Sequence, residues 1–559
     1  MDSVGGALID SKPGYSRWIL RLALPFYFLL ILALQHASGT YQAGFNCSLR
    51  SYGDEAGHYV TGLMVRDYLH GAVPQNPLTF ASHFYLHYPL VALGHWPPGF
   101  YALQSVWTTF LPSTRESLLV FMAMLTALLA FETHRLTRRH LGEPYGVFAG
   151  LTLVLIPLTQ SLTSTVMAEV PLALASLWAV SSLAAFLRSG RYLHAILYGV
   201  LSSAAILMKG SGWLLVLIPA LVALCTGGVW QMLRGRIWIS AAIVAVLCVP
   251  YSLVTMRAAQ YGWDAGAPNW QFAYSAATGL LRSSLEEGGV LIALLFLVGA
   301  VQVALDRSRE GLAWLWFAVL AWLFHLIVPA SIESRRLFMA APVALFFAAA
   351  GLRRLAREIR LGSEPVRASV LAAVVWAVFL AFTFHVPAVA SAGLDDVADE
   401  IARRTPTHSV ALIASDTWWG ESALVAEITG RERRFDHYLV RASKLLFDSD
   451  WMGTFFRLVY SDAHLVAKAL DDIPVSTVVL HTGEGLKFDQ HIRQLREVLD
   501  HHPDWKRLWE RRSGLPGRQS AVALYTRRSD MSGAPLRLTI DLSKTVSTKV
   551  QNNVCTCRR

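Results

Sequence analysis

The sequence predicts a polytopic α-helical membrane protein of about eleven transmembrane helices, followed by a small α/β domain outside the membrane. Three observations carry this. Over 559 residues the chain is 54% hydrophobic and only 16% charged, with a mean hydropathy of +0.41; soluble proteins carry about 25% charged residues. Apolar stretches near the about 20 residues needed to cross a bilayer recur up to position 390. After Pro387 the pattern changes to short strands alternating with helices.

The first span covers 18–37, with Lys12, Arg17 and Arg21 before or at its start, which places the N-terminus in the cytoplasm. A cleaved signal peptide ending at Ala37-Ser38-Gly39 is the competing reading and leaves the orientation downstream unchanged. Further spans fall at 116–134, 145–159, 170–187, 192–208, 212–230, 237–254, 288–305, 312–330, 337–352 and 368–387, with 192–230 divisible in other ways around Lys209. Alternate connections hold Arg135/Arg138/Arg139, Arg188/Arg191, Arg234/Arg236, Arg307/Arg309 and Arg353/Arg354/Arg357/Arg360, as cytoplasmic loops do. The other connections are poor in such clusters except at Arg335-Arg336. The cell membrane is therefore the expected location, with residues 39–115, 254–287 and the C-terminal part outside the cytoplasm.

Within 39–115, residues 55–69 carry Tyr59, Leu63, Val65 and Leu69 around Arg66 and Asp67, and 100–111 is aromatic and weakly polar. Both fit helices lying in the membrane interface. Residues 254–287 read as a loop rich in Tyr, Trp and Gly. The chain thus divides into a membrane domain, 1–390, an α/β domain, 391–529, and a polar tail, 530–559, expected to be disordered. In the second domain 391–404 reads as an amphipathic helix, and 410–414, 475–481 and 521–525 as strands.

The net charge of +10 does not indicate nucleic acid, because the arginines sit in short loops between apolar spans. Cys225 and Cys248 lie in apolar spans, Cys47 in a loop, and Cys555 and Cys557 in the tail, with no disulfide framework or zinc-ligand spacing.

The polar clusters that look chemical all fall on the predicted outer side: Tyr52-Gly53-Asp54-Glu55-Ala56-Gly57-His58-Tyr59, His95-Trp96-Pro97-Pro98-Gly99, Met167-Ala168-Glu169-Val170-Pro171, Met208-Lys209-Gly210-Ser211-Gly212 and Glu333-Ser334-Arg335-Arg336. Ionisable groups at membrane depth are costly, so this convergence needs a reason. Taken in order, the acidic pair Asp54-Glu55, the run Pro97-Pro98-Gly99-Phe100-Tyr101, Glu169 before Pro171, Lys209–Gly212 and the Glu333-x-Arg335 pattern resemble the GT-C glycosyltransferases of the protein-O-mannosyltransferase and aminoarabinose-transferase superfamily, the family 39-like enzymes. The resemblance covers roughly residues 15–390.

It implies a GT-C-like membrane domain that takes a hexosyl or pentosyl unit from a polyprenyl-phosphate carrier. The sugar passes to a lipid, glycan or protein acceptor on the extracytoplasmic side, with inversion at the anomeric carbon. It carries the role of catalytic base to Asp54, with Glu55 its neighbour. Aminoarabinose transferases have a charged Glu-Lys before the Pro-Pro; this chain has His95-Trp96, which puts the phosphate contact made there in question.

The chemistry asks for a carboxylate to take the acceptor proton, fixed cations for the leaving phosphate, and orientation of both substrates at the membrane surface. Asp54, Glu55 and Glu169 are the candidate catalytic residues; Lys209, Arg335, Arg336 and His95 are the candidate donor-binding residues. Each has a plainer reading. Asp54, Glu55 and Glu169 are also favoured at helix starts by the dipole. Lys209 can snorkel to the interface. Arg335 and Arg336 can pair with Glu333 or lipid headgroups. His58 and His95 read more simply as structural polar residues. Trp418 and Trp419 suit a sugar-stacking role or a core role equally. No cofactor is expected, and a divalent cation stays open, although no pair of histidines or acids shows ligand spacing. Two other functions compete. One is a secondary transporter or lipid flippase, which would usually show internal repeats and midplane broken helices. The other is a membrane scaffold that presents the 391–529 domain.

Overall fold

The computed structural model describes residues 15–45, 54–91, 96–228, 235–262, 268–329, 331–359, 362–389, 393–417, 419–432, 435–448, 456–483, 489–513, 520–529, 539–542 and 548–551. The membrane part opens with α1 (Tyr15–Ala37), then α2 (Asp54–Asp67), α3 (Pro77–His87) and α4 (Gly99–Phe110). Helices α2 and α4 occupy the two expected interfacial segments. The sequence pattern did not mark α3, although Asn76-Pro77 is a helix-start signal: the Asn76 side chain accepts from Leu78 N at 2.9 Å, and Pro77 takes the first helical position.

Then come α5 (Arg115–Leu141), α6 (Glu143–Leu155), α7 (Pro157–Thr163), α8 (Glu169–Ser189) and α9 (Tyr192–Met208). A 3-10 segment, Gly210–Leu217, leads into α10 (Ile218–Cys225). After it come α11 (Trp238–Gly262), α12 (Trp270–Gly288), α13 (Val290–Asp306), α14 (Arg309–Ile327), a second 3-10 segment at Ser334–Ala340, α15 (Ala341–Glu358) and α16 (Glu364–Phe382).

The protein is a multi-pass membrane protein. Among the described residues, six helices are long and apolar enough to cross a membrane, or up to eight if each bent pair is one span. The remaining apolar helices, Tyr192–Met208, Gly210–Cys225 and Trp238–Leu253, are shorter. Length and composition therefore do not reach the expected eleven. The 212–230 span is interrupted because its first half is wound as a 3-10 segment that starts just past Lys209. The expected loop at 254–287 is also different: α11 extends to Gly262, and α12 is a helix turned 110° from α13 at Gly289. Trp270 and Tyr274 on α12 are exposed. Tyr, Trp and Gly suit a loop, but an aromatic-rich helix lying across a span end also suits a membrane interface.

The bundle has two chemically different ends. At one end Arg138 pairs with Glu143, His134 Nε2 lies 2.9 Å from Glu143, Arg353 Nε lies 3.2 Å from Glu364, and Arg188 Nε lies 3.5 Å from Glu310. These are the arginine-rich connections. Helices α5, α8 and α15 start at the other end, with Arg115 at the first residue of α5, Glu169 at that of α8, and Arg335 just before α15.

The C-terminal region is a five-stranded mixed sheet in the order β2-β1-β5-β7-β6, built from β1 (Val410–Ser415), β2 (Tyr438–Arg441), β5 (Val475–Thr482), β6 (Trp505–Ser513) and β7 (Ser520–Arg527), beside a short antiparallel pair, β3 (Phe447–Asp448) and β4 (Arg457–Leu458). β1 runs parallel to β2 and β5, while β7 is antiparallel to both β5 and β6. The sequence marked β1, β5 and β7, whose apolar residues are buried, and missed β2 and β6. β6 reads Trp-Lys-Arg-Leu-Trp-Glu-Arg-Arg-Ser, and its charges obscure the strand pattern. Two further strands, β8 (Thr539–Leu542) and β9 (Thr548–Gln551), pair antiparallel within the tail expected to be disordered; their β-branched residues suit a strand.

This region sits on the segment between α1 and α5. Phe45 N donates to Glu427 Oε1 at 2.7 Å, and Phe435 N donates to the Tyr88 hydroxyl at 2.7 Å. His87 Nδ1 meets the His437 carbonyl at 2.8 Å, and its ring stacks on Tyr438 with centroids 4.0 Å apart. Burial holds the His87 imidazole down at about 4, while the Glu432 carboxylate offsets burial and lifts His437.

Candidate active site

Four of the predicted site residues meet. Asp54 and Glu55 form the first turn of α2, where the helix dipole favours acids. Successive helix residues point about 100° apart, so the two carboxylates diverge. Arg335 Nη2 donates to Asp54 Oδ2 at 2.9 Å, Arg335 Nη1 lies 3.6 Å from Glu169 Oε1, and Arg335 Nε donates to Glu333. Lys209 Nζ reaches the same Glu169 oxygen at 2.6 Å. Arg336 turns to Ser331 Oγ, 2.7 Å away.

The local sequence explains each placement. Pro171 lies in the first turn of α8, where a missing N–H costs little, so the helix can begin at Glu169. α9 stops at Lys209, whose backbone is extended, and the chain turns into the 3-10 segment. A Cβ on Gly212 would stand 2.6 Å from the Ala205 and Ile206 backbone. Only glycine lets the turn fold back on α9, which accounts for the last residue of the Lys-Gly-Ser-Gly motif. Gly99 has a similar reason: a Cβ there would lie 2.8 Å from the Leu207 carbonyl, so the start of α4 rests on the end of α9 beside Lys209.

Exposure separates the cluster into a floor and a rim. The side chains of Glu169 and Arg335 are 2% and 8% exposed, whereas those of Asp54, Glu333 and Lys209 are 28–30% exposed. Glu169 Oε2 is buried with no hydrogen-bond partner. Three carboxylates thus face three cations, counting Arg336. A floor of buried opposite charges under an open rim can hold an anion and take up a proton at one place.

Glu55 does not join this cluster. Its Oε1 accepts from Arg115 Nε at 2.9 Å and from Val166 N at 3.2 Å, and both side chains of the pair are buried. Arg115 also donates to the Thr40 and Ser164 carbonyls. The pair ties α2 to the start of α5 and to the strand of chain that enters α8 three residues later. Glu55, expected beside Asp54 in the chemistry, is thus placed between Arg115 and Val166 and not in the Asp54–Arg335 cluster. Arg115 at the start of an apolar span was the one signal that a buried partner was needed.

His58 lies one turn after Asp54 on the same face of α2. Its Nδ1 meets the Tyr101 hydroxyl at 2.9 Å, and its ring stacks on Trp96 with centroids 4.0 Å apart. Burial drives its pKa down to about 4 against the pull of Asp54 and Glu169, so the ring is neutral near pH 7. Only the four-residue spacing from Asp54 pointed to this proximity. His95 and Trp418 lie outside the described residues. Trp419 packs against His481, with ring centroids 5.3 Å apart. Among the described residues, no group of three or more His, Cys, Asp or Glu side chains could hold a metal ion.

No family model matches the sequence, and no curated protein matches it. Solved structures do match in shape. ArnT from Cupriavidus metallidurans, an aminoarabinose transferase solved bound to undecaprenyl phosphate, aligns with a TM-score of 0.58 at 14% identity, over 91% of this chain and 98% of its own. Its apo form aligns with a TM-score of 0.59 over the same shares. The oligosaccharyltransferase AglB from Archaeoglobus fulgidus, in complex with an inhibitory peptide and a dolichol-phosphate, aligns with a TM-score of 0.53 at 13% identity, over 84% of this chain and 70% of its own. An apolar helical bundle, a long loop between α1 and α5 and a C-terminal domain on that loop are therefore arranged here in the GT-C fold that ArnT and AglB share.

Proposed function

We propose that the protein is a membrane glycosyltransferase that moves a sugar from a polyprenyl-phosphate-linked donor to a lipid, glycan or protein acceptor on the extracytoplasmic side. The observation that carries this is the Asp54–Arg335–Glu169–Lys209 cluster at the arginine-poor end of a bundle with the GT-C fold. Both kinds of neighbour, as solved, hold a polyprenyl-type lipid phosphate.

In the reaction, the acceptor hydroxyl attacks the anomeric carbon from the face opposite the phosphate. Asp54, at the open rim, takes its proton. The bond from that carbon to the phosphate oxygen breaks, and the charge that grows on the phosphate is met by Arg335 and Lys209, with Arg336 behind them. Glu169, buried under both cations, holds them in place. Attack from the far side inverts the anomeric configuration. The reaction needs no proton from the enzyme for the leaving group, because a phosphate leaves as an anion.

The test is transfer from a radiolabelled polyprenyl-phosphate sugar by membranes that contain Asp54→Asn. This isostere keeps the size and removes the base. Loss of about a hundredfold or more in turnover, with normal insertion, is expected. Near-normal turnover by a well-expressed variant removes Asp54 from the base role.

A further inference from the structure

Arg335 already faces three carboxylates before any substrate arrives, and this has a mechanistic result. The Nε and Nη2 atoms of Arg335 form one edge of the guanidinium fork, the edge that normally grips two oxygens of one carboxylate or phosphate. Here that edge is filled by two different carboxylates: Nη2 donates to Asp54 Oδ2 at 2.9 Å, and Nε donates to Glu333 Oε2. The remaining nitrogen, Nη1, faces Glu169 Oε1 at 3.6 Å. Asp54 and Glu333 come from the two partly open side chains, at 28% and 29% exposure, while Glu169 is 2% exposed. Two carboxylate oxygens therefore stand where the two oxygens of a phosphate would stand, and both can swing to water. Glu169 cannot.

We infer that Asp54 and Glu333 are placeholder anions for the donor phosphate, so that donor binding is an exchange of anions on Arg335. This rests on the lipid-phosphate reading given above. The charge count requires it. Asp54, Glu169 and Glu333 balance Lys209, Arg335 and Arg336. Adding a phosphate without displacing a carboxylate would leave a largely buried site with surplus negative charge, which is expensive. The exchange breaks the Arg335–Asp54 and Arg335–Glu333 hydrogen bonds and forms two phosphate–Arg335 bonds. No covalent bond changes and no proton moves in this step.

Two properties follow. While Asp54 is held by Arg335 its Oδ2 is occupied; once the phosphate takes that edge, Asp54 is released toward the acceptor. The acceptor proton is then accepted only when the sugar donor is in place, and the donor binds first. Glu333 acts as a positioning residue: it keeps the fork filled and oriented in the empty enzyme and competes with the ligand.

The experiment measures the affinity of undecaprenyl phosphate for the full-length protein in nanodiscs. Wild type is compared with Glu333→Gln, Asp54→Asn and Arg335→Lys. The two amide variants weaken a competitor, so each binds the lipid phosphate about tenfold more tightly, a direction that damage to the fold does not produce. Arg335→Lys, which loses the two-pronged edge, binds at least about tenfold more weakly. Unchanged or weaker binding by both amide variants, with wild-type binding intact and dependent on Arg335, overturns the exchange and leaves the donor reading standing. Wild-type binding that is indifferent to Arg335→Lys overturns the donor site itself.

Discussion

Replacing Glu55 with alanine removes one carboxylate from a buried pair and leaves the other half charged. Glu55 is 3% exposed and Arg115 is 5% exposed. Arg115 keeps its hydrogen bonds to the Thr40 and Ser164 carbonyls, so its donors stay mostly satisfied, but its charge loses its counterion. Removing one member of a buried pair costs about 3–5 kcal/mol. Val166 N also loses its acceptor, a cost of about 1–3 kcal/mol by itself that overlaps with the first because both bonds end on the same oxygen. Glu55→Ala is therefore expected to lose about 4 kcal/mol, a large part of the roughly 5–15 kcal/mol that holds a typical domain. Glu55→Gln, which keeps an acceptor for Val166 N, should lose less. The assay is thermal unfolding of the purified protein, followed by intrinsic tryptophan fluorescence, beside residual transfer activity. Asp54→Asn serves as the contrast, with activity gone and the melting temperature near wild type. A Glu55→Ala protein that melts like wild type yet fails to turn over would refute the positioning role and return Glu55 to the chemistry.

Three further outcomes are expected. Lys209→Ala and Arg336→Ala should each weaken undecaprenyl phosphate binding about tenfold to a hundredfold, the worth of one hydrogen bond to a charged group; normal affinity in both would place the phosphate elsewhere. In a cysteine-free background, Asp396→Cys on the exposed face of the helix Leu394–Arg404 should react with an impermeant maleimide added to intact cells; reaction only after the membrane is opened would reverse the whole topology. The contact between α3 and the C-terminal domain should weaken in acid. His87 has a folded pKa of about 4 against an ordinary 6.5, so its neutral form is the stable one: its contribution is complete above about pH 6.5 and is lost as pH falls toward 4. His437, with a raised pKa, acts in the opposite sense, contributing below about pH 6.5 and fading as pH rises through its folded value. Limited proteolysis between pH 7 and 4.5 should show the domain loosening in wild type and less dependence on acid in His87→Phe; the same slope in both would exclude His87 as the source.

Whatever depends on local composition was readable from the residues alone. Helices that must sit in lipid have to be long and apolar, so α1, α5, α8, α14, α15 and α16 were legible from hydropathy, and arginines marked the opposite end of the bundle because charge resists translocation. Glu169, Lys209 and Arg335 were legible as candidates because each stands at the end of an apolar span, where an ionisable group needs a reason, and Asp54 because it belongs to an acidic pair in the long loop after the first span. Strands β1 and β5 were legible because each carries a short buried apolar run, Val410–Ala414 in β1 and Val478–Leu480 in β5. What a side chain faces was not legible. Asp54 and Glu55 differ by one position, about 100° around α2, and that rotation sends one to Arg335 and the other to Arg115, 60 residues on in sequence. The 3-10 winding after Lys209, the helix within 254–287 and strands β2 and β6 were decided by tertiary packing over weak or misleading local patterns. The pairing of Arg335 with carboxylates from α2 and α8 joins segments 281 and 166 residues apart in the chain. No periodicity or propensity encodes such a meeting; it exists only where the bundle closes and buried charges must find partners.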